Sequence, residues 1–167
     1  MRRIISMLLQ NESGALARVA GLFAARGYNI DTLTVAPTHD TATSRLTLVT
    51  HGDETVIDQI IKQSRKLVDV IEIVDLTSRA HLESELLIVK VSVAGGRAPQ
   101  VAACVRRHAR ALLFDEGEST RTIQFTGSGA EVDDFLAALS SITRVLEMAR
   151  SGTAALDCGE LLLEASA

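Results

Sequence analysis

The residues best placed for chemistry are Asn11, Glu12, Ser13 and Gly14, the turn NESG. The turn lies between an apolar run, RIISMLLQ (3–10), and an amphipathic segment, ALARVAGLFAAR (15–26). A glycine turn that opens a helix leaves the first backbone N–H groups without intrahelical partners. Gly14 has no Cβ, so a ligand can approach the main chain closely. The helix dipole adds roughly 0.3–1 kcal/mol in favour of an anion. The turn lacks the lysine and the GxGxxG spacing that nucleotide phosphates require. A carboxylate needs only two or three N–H donors. An α-amino acid would be completed by side-chain amides, and Asn11 and Asn29 are the obvious candidates. A plainer reading stays open, in which Asn11 and Ser13 cap the helix and Gly14 makes the turn.

Elsewhere the chemistry thins out. His39, His51, His81 and His108 are scattered, with none at i, i+4 from another metal-binding residue, so no metal is expected. No Ser, Cys or Thr stands in a nucleophile elbow, and no catalytic residue is assigned. The pairs Glu83/Glu85, Glu116/Glu118 and Asp133/Asp134 read as solvated surface. Cys104, inside VAACV, reads as a small core residue. Arg97, Arg106, Arg107, His108 and Arg110 form a basic cluster: a solvated face, or a dock for an acidic partner.

A net charge of −4 argues against nucleic acid and against an anionic membrane surface as partners. Nothing approaches the roughly 20 apolar residues of a membrane span. The start, MRRIISMLLQNES, reads as a strand rather than a signal segment. Cys104 and Cys158 form no CxxC pattern, which fits reduced thiols in a cytoplasmic protein. Hydrophobic residues make up 47% and aromatics only 3%, so Val, Leu, Ile and Ala must build the core.

The elements that would position the turn follow from periodicity. After strand 3–10, Leu16, Val19, Ala20 and Phe23 recur at helical spacing, and Gly27 suits a left-handed cap. Tyr28–Ala36 reads as a strand ending at Pro37, and Thr43–His51 as another. A helix opens at 52–54 and buries Val56, Ile57, Ile60, Ile61 and Leu67. A strand follows at 68–76. The order βαββαβ then repeats: strand 85–94, a helix from Pro99 to about Arg110, the strand-like ALLFDEG and STRTIQFTG, a helix at 130–141 capped by Ser128, and the closing strand TRVLEMARSG. The fold class is therefore α+β. Two tandem ferredoxin-like βαββαβ domains are expected, each an antiparallel sheet with helices on one face. The expected boundaries are 1–77, a linker at 78–84, a second domain at 85–152 and a tail at 153–167.

The stretch RRIISMLLQNESGALARVAGLFAARGYNIDTLTVAPT resembles the start of the small regulatory subunits of acetolactate synthase (acetohydroxyacid synthase). GDETVIDQIIKQSRKLVDVIEIVDLT, ESELLIVK and ARSG continue the resemblance. It implies an ACT domain followed by a second ferredoxin-like domain. It also implies a homodimer in which two ACT sheets join side by side and hold a branched-chain amino acid, most often valine, where they meet. Carried onto this chain, the effector contacts are Asn11, Gly14, Ala15 and Leu16 at the turn, with Asn29 and Ile30 supplied from the partner chain. A subunit of this kind has no catalytic site. It activates a large catalytic subunit, which carries thiamine diphosphate, magnesium and FAD, and it confers feedback inhibition on the condensation of 2-oxo acids. The rival of another class is a free-standing amino-acid sensor acting on some other partner, such as a transcription factor. No helix-turn-helix or basic face accompanies the turn to support it.

Overall fold

The computed structural model describes residues 1–164, apart from the side chain of Glu116. The chain divides into two compact units, Met1–Leu82 with the segment that begins at Thr153, and Glu83–Gly152. Each holds four antiparallel strands and two helices, with a further short strand, Ala154–Asp157, pairing onto the strand that starts at His81, so the tandem ferredoxin-like α+β reading holds.

In the first unit, β1 (Arg2–Gln10), α1 (Ala15–Ala25), β2 (Thr32–Pro37), β3 (Thr43–His51), α2 (Glu54–Ser64) and β4 (Val70–Asp75) follow in order. The sheet runs β2-β3-β1-β4, with β1 central and β2 and β4 at the edges. Strand alternation sorts the side chains. Ile5, Met7, Leu9, Leu46, Leu48 and Ile73 meet Val19 and Phe23 of α1 and Ile57 and Ile60 of α2. Val56, Ile61 and Leu67 pack on the same cluster as partly buried residues. Asp53 caps α2 by accepting the Val56 N–H at 2.9 Å. Gly27 adopts the expected positive φ of 67°.

The second unit contains β5 (His81–Ser92), which begins just before the unit boundary, then α3 (Ala98–Arg107), β6 (Ala111–Glu116), β7 (Thr120–Gly127), α4 (Gly129–Ile142) and β8 (Val145–Arg150). Its sheet runs β6-β7-β5-β8. Leu87, Val89, Val91 and Ile123 pack beneath Val101, Cys104, Val132, Phe135 and Leu139. Cys104 is fully buried, as its neighbours suggested. Ser128 and Glu131 form a reciprocal capping box at the start of α4.

Beyond small shifts at element ends, such as α3 stopping at Arg107 rather than near Arg110, the structure departs from the sequence-based elements in four places. β2 starts at Thr32, because residues 28–29 find partners off the ladder and the first backbone N–H to reach β3 is that of Asp31, on the Val49 carbonyl at 2.8 Å. Tyr28 stacks edge-on against Phe23 with ring centroids 6.2 Å apart, and the Asn29 carbonyl accepts the Thr50 hydroxyl at 2.6 Å. β4 starts at Val70, leaving Val68 79% exposed. Residues 81–84, expected as linker, already belong to β5. The expected tail contains a further strand, β9 (Ala154–Asp157), whose Ala155 packs against Ile4, Val49, Val74 and Leu76 on the sheet face away from the helices. Residues 165–167 of that tail lie outside the described residues.

One carboxylate reading is corrected. Glu85 is 2% exposed and not solvated: Arg150 donates to it from Nε at 2.6 Å and from Nη2 at 3.0 Å. In the pair Glu116/Glu118, the Glu116 side chain lies outside the described residues.

Candidate effector site

The turn after β1 forms the mouth of α1. Gly14 is left-handed, with φ 88° and ψ −11°, and no side chain caps the helix behind it. The reading in which Asn11 and Ser13 cap α1 is therefore not what the chain does. The Ala15 N–H bonds the Glu12 carbonyl at 3.2 Å, and the Arg18 N–H bonds the Gly14 carbonyl at 2.9 Å. Among the described residues, the amides of Leu16 and Ala17 have no backbone or side-chain acceptor. Of the residues expected at the turn, Leu16 thus offers a free donor, while the Ala15 N–H is occupied and its side chain is 4% exposed.

Asn11 has a different task from direct capping. Its Nδ2 donates to the Thr41 carbonyl at 2.8 Å, and its Oδ1 accepts the Ser44 hydroxyl at 3.0 Å. Its backbone N–H adds a bond to the Ala42 carbonyl at 2.8 Å. Asn11 therefore clamps the β2–β3 loop against the mouth of α1. Asp40 stiffens that loop. The Ala42 N–H and then the Thr43 hydroxyl hydrogen-bond its carboxylate, which holds its pKa below the ordinary range.

Arg18 belongs to the mouth and is not among the residues singled out from the sequence, since it lies off the apolar stripe of Leu16, Val19, Ala20 and Phe23. It stands one helical turn beyond Gly14. Its Nη2 donates to Asp69 Oδ1 at 2.6 Å and its Nε to Oδ2. Nη1 is left over Gly14, close enough that a Cβ on that residue would sit 2.8 Å from it. The hydrogen bond to Asp69 raises the Arg18 pKa, so the cation persists at every working pH. The recoverable signal was a cation at i+4 from a helix-opening glycine.

Asn29 and Ile30 lie elsewhere in the same chain. Asn29 donates from Nδ2 to Asp31 at 2.6 Å, and Ile30 packs on the first core. Thr50, which anchors Asn29, stands six residues along β3 from Ser44, which anchors Asn11. At roughly 3.3 Å per residue that is about 20 Å. One chain brings Asn11, Gly14, Ala15 and Leu16 together and holds Asn29 and Ile30 apart from them.

Among the described residues, no three His, Cys, Asp or Glu side chains cluster as a metal site. No described helix is long and apolar enough to cross a membrane.

A family model described as "AHAS small subunit-like ACT domain" matches residues 5–72, and one described as "Small subunit of acetolactate synthase" matches residues 84–159. The chain belongs to the acetolactate synthase small-subunit family. Within that family it is 45% identical over 163 residues to the acetolactate synthase isozyme 3 small subunit of Escherichia coli (strain K12), covering 98% of this chain and 99% of the other. It is 43% identical to the acetolactate synthase small subunit of Haemophilus influenzae, over 96% and 98% of the two chains. Among solved structures, the small subunit from Thermotoga maritima superposes with a TM-score of 0.85 at 30% identity, covering 96% of this chain and 99% of that one. The chain is therefore a regulatory small subunit of acetolactate synthase, and its first unit is an ACT domain.

Proposed function

We propose that the chain binds a branched-chain amino acid, valine foremost, at a seam between two copies. In doing so it switches a thiamine-diphosphate-dependent catalytic subunit between activated and feedback-inhibited states. The observation that carries this reading is the free mouth of α1: Leu16 and Ala17 amides without acceptors, a left-handed Gly14, and the Arg18 cation beside it. Those groups suit an α-carboxylate.

The separation of Asn29 and Ile30 from the mouth supports a two-chain site. β2 is an edge strand, so it can add a strand from a second copy. In β2, Pro37 pairs with Ser44 at the mouth end, and Thr32 pairs with Val49 at the Asn29 end. A two-fold antiparallel pairing of β2 with its copy reverses those ends. It therefore delivers Asn29 and Ile30 of one chain to the Asn11–Leu16 mouth of the other. Asn29 then offers a polar contact to the ligand, and Ile30 an apolar one to its side chain. Burying an isopropyl group is worth roughly 1.5–3 kcal/mol, enough to prefer valine over glycine or alanine.

The chemistry of condensation belongs to the catalytic subunit, which holds the thiamine diphosphate, magnesium and FAD. This chain contributes the sensor. Valine shifts the balance between two states of the regulatory dimer only through its differential affinity for them. The test is to mix this protein with a purified acetolactate synthase catalytic subunit and measure turnover with and without valine. Activation that valine reverses is expected; a catalytic subunit indifferent to the added chain would end the reading.

A further inference from the structure

The second unit carries a surface that the amino-acid site does not use. α3 buries Val101, Cys104 and Val105. Its outward stripe is then Arg97, Gln100, Ala103 and Arg107, at three- and four-residue spacing, with Arg106 beside it. Between this stripe and the last turn of α4 lies a hollow of about 510 Å³, lined by Gln100, Ala103, Arg106, Arg107 and Ile142. Ala103 and Ile142 give it apolar lining, beside the exposed side chains of Arg106 and Arg107.

The structure prunes the basic cluster read from the sequence. His108 turns inward, its Nδ1 on the Cys104 carbonyl at 2.8 Å and its ring 4.9 Å from that of Phe135. Arg110 holds Glu131. Elsewhere arginines are engaged: Arg18 with Asp69, Arg79 with Asp157, and Arg150 with Glu85 and Asp133. Among the described residues, Arg97, Arg106, Arg107 and Arg144 have neither an ion pair nor a side-chain hydrogen bond, and all four belong to this unit. On a chain of net charge −4, this is a local reversal of sign beside an apolar hollow.

We propose that the hollow between α3 and α4 is a docking surface for an acidic, apolar-edged segment of the catalytic subunit. Carboxylates meet Arg106 and Arg107, and a hydrocarbon side chain seats on Ala103 and Ile142. The proposal rests on the reading that this chain works on that subunit. Arginine's planar fork pairs with carboxylates two bonds at a time, and arginine is enriched where interfaces carry their binding energy. A second copy on the same face would set each arginine cluster against itself, because a two-fold contact uses one patch twice. A nucleic-acid backbone would leave the apolar lining unused and meet an acidic protein.

The test titrates the full chain into purified catalytic subunit and reads the concentration giving half-maximal activation. Arg106→Glu with Arg107→Glu should raise that concentration by at least about tenfold. Thermal unfolding should be unchanged, since both side chains are exposed. Ala103→Trp, which fills the hollow and keeps the charges, should raise it as well. A charge-reversed variant that activates at the wild-type concentration overturns the docking surface. So does one whose sedimentation shows that its own oligomeric state has changed instead. Saturable binding of inorganic phosphate that the variant loses while activation persists also overturns it, in favour of a small-anion site. Wild-type chain that activates nothing indicts the parent reading, whereas wild type active beside an equally active variant indicts only the hollow.

Discussion

Arg18 on the first turn of α1 grips Asp69, in the loop before β4, through two parallel hydrogen bonds, and Asp69 is 2% exposed. The Asp69 carbonyl also accepts the Gln10 N–H at 2.8 Å, at the end of β1. One aspartate thus ties the strand entering the mouth to the helix leaving it. Arg18 holds the Asp69 carboxyl below its ordinary pKa of about 3.9. The unfolded chain therefore takes up its proton first as pH falls. This contribution is complete above about pH 4 and is lost as pH drops through the folded-state pKa. Asp69→Asn should be less stable at neutral pH and lose less additional stability in that acid range. Denaturant melts at pH 7 and pH 3 measure the difference; parallel acid losses in parent and variant would refute the role.

Gly14→Val meets two obstacles. A β-branched residue at φ 88° is strained by about 1–3 kcal/mol, and its Cβ would press on Arg18 Nη1. Closing the backbone approach should abolish valine inhibition while activation of the catalytic subunit persists. A variant as sensitive to valine as its parent would show that the effector sits elsewhere.

Asn29 is exposed in one chain and makes no bond to the mouth of that chain. Asn29→Ala should nonetheless weaken valine binding by about 1–3 kcal/mol, because in the paired assembly its amide is expected to be buried against the ligand. Titration calorimetry reads this directly, and an unaltered dissociation constant removes Asn29 from the site.

Val35 lies near the middle of β2 and is 39% exposed. In a two-fold β2 pair the centre of the strand faces its own copy, so Val35→Asp sets like charges close together. Sedimentation velocity should show a shift from dimer to monomer, accompanied by loss of valine binding. A variant that stays dimeric would place the seam on another edge.

Arg150→Ala leaves Glu85 buried without its cation. Removing one partner of such a pair costs about 3–5 kcal/mol, so the second unit should melt well before the first. A single transition at the wild-type temperature would contradict this.

The repeating architecture was legible because long apolar stripes and glycine turns carry it, as at Val19, Phe23 and Gly14. Cys104 and the Ser128 cap were legible for the same local reasons. Glu85 was not, because its burial depends on Arg150, 65 residues away. The start of β2 was misplaced because Asn29 turns its carbonyl to Thr50 and its side chain to Asp31, and the first backbone N–H to reach β3 is that of Asp31, on the Val49 carbonyl at 2.8 Å. Of the mouth, Gly14 was readable and Arg18 was not, since only folding shows which way that guanidinium turns. Asn11 was readable as important, yet its work of clamping Thr41 and Ser44 appears only once β3 is in place.

β9 gives the chain an unusual economy. Leaving the second unit, the polypeptide comes home to the first: Ala155 seals Ile4, Val49, Val74 and Leu76, and the Cys158 N–H bonds the Ala80 carbonyl at 2.8 Å. The later ferredoxin-like module is thus spliced into the earlier one like a bead on a closed loop, leashed at both ends. A scissor cut at residue 82 would not liberate a finished sensor; it would yield a sheet stripped of its lining and prone to stick to its neighbours.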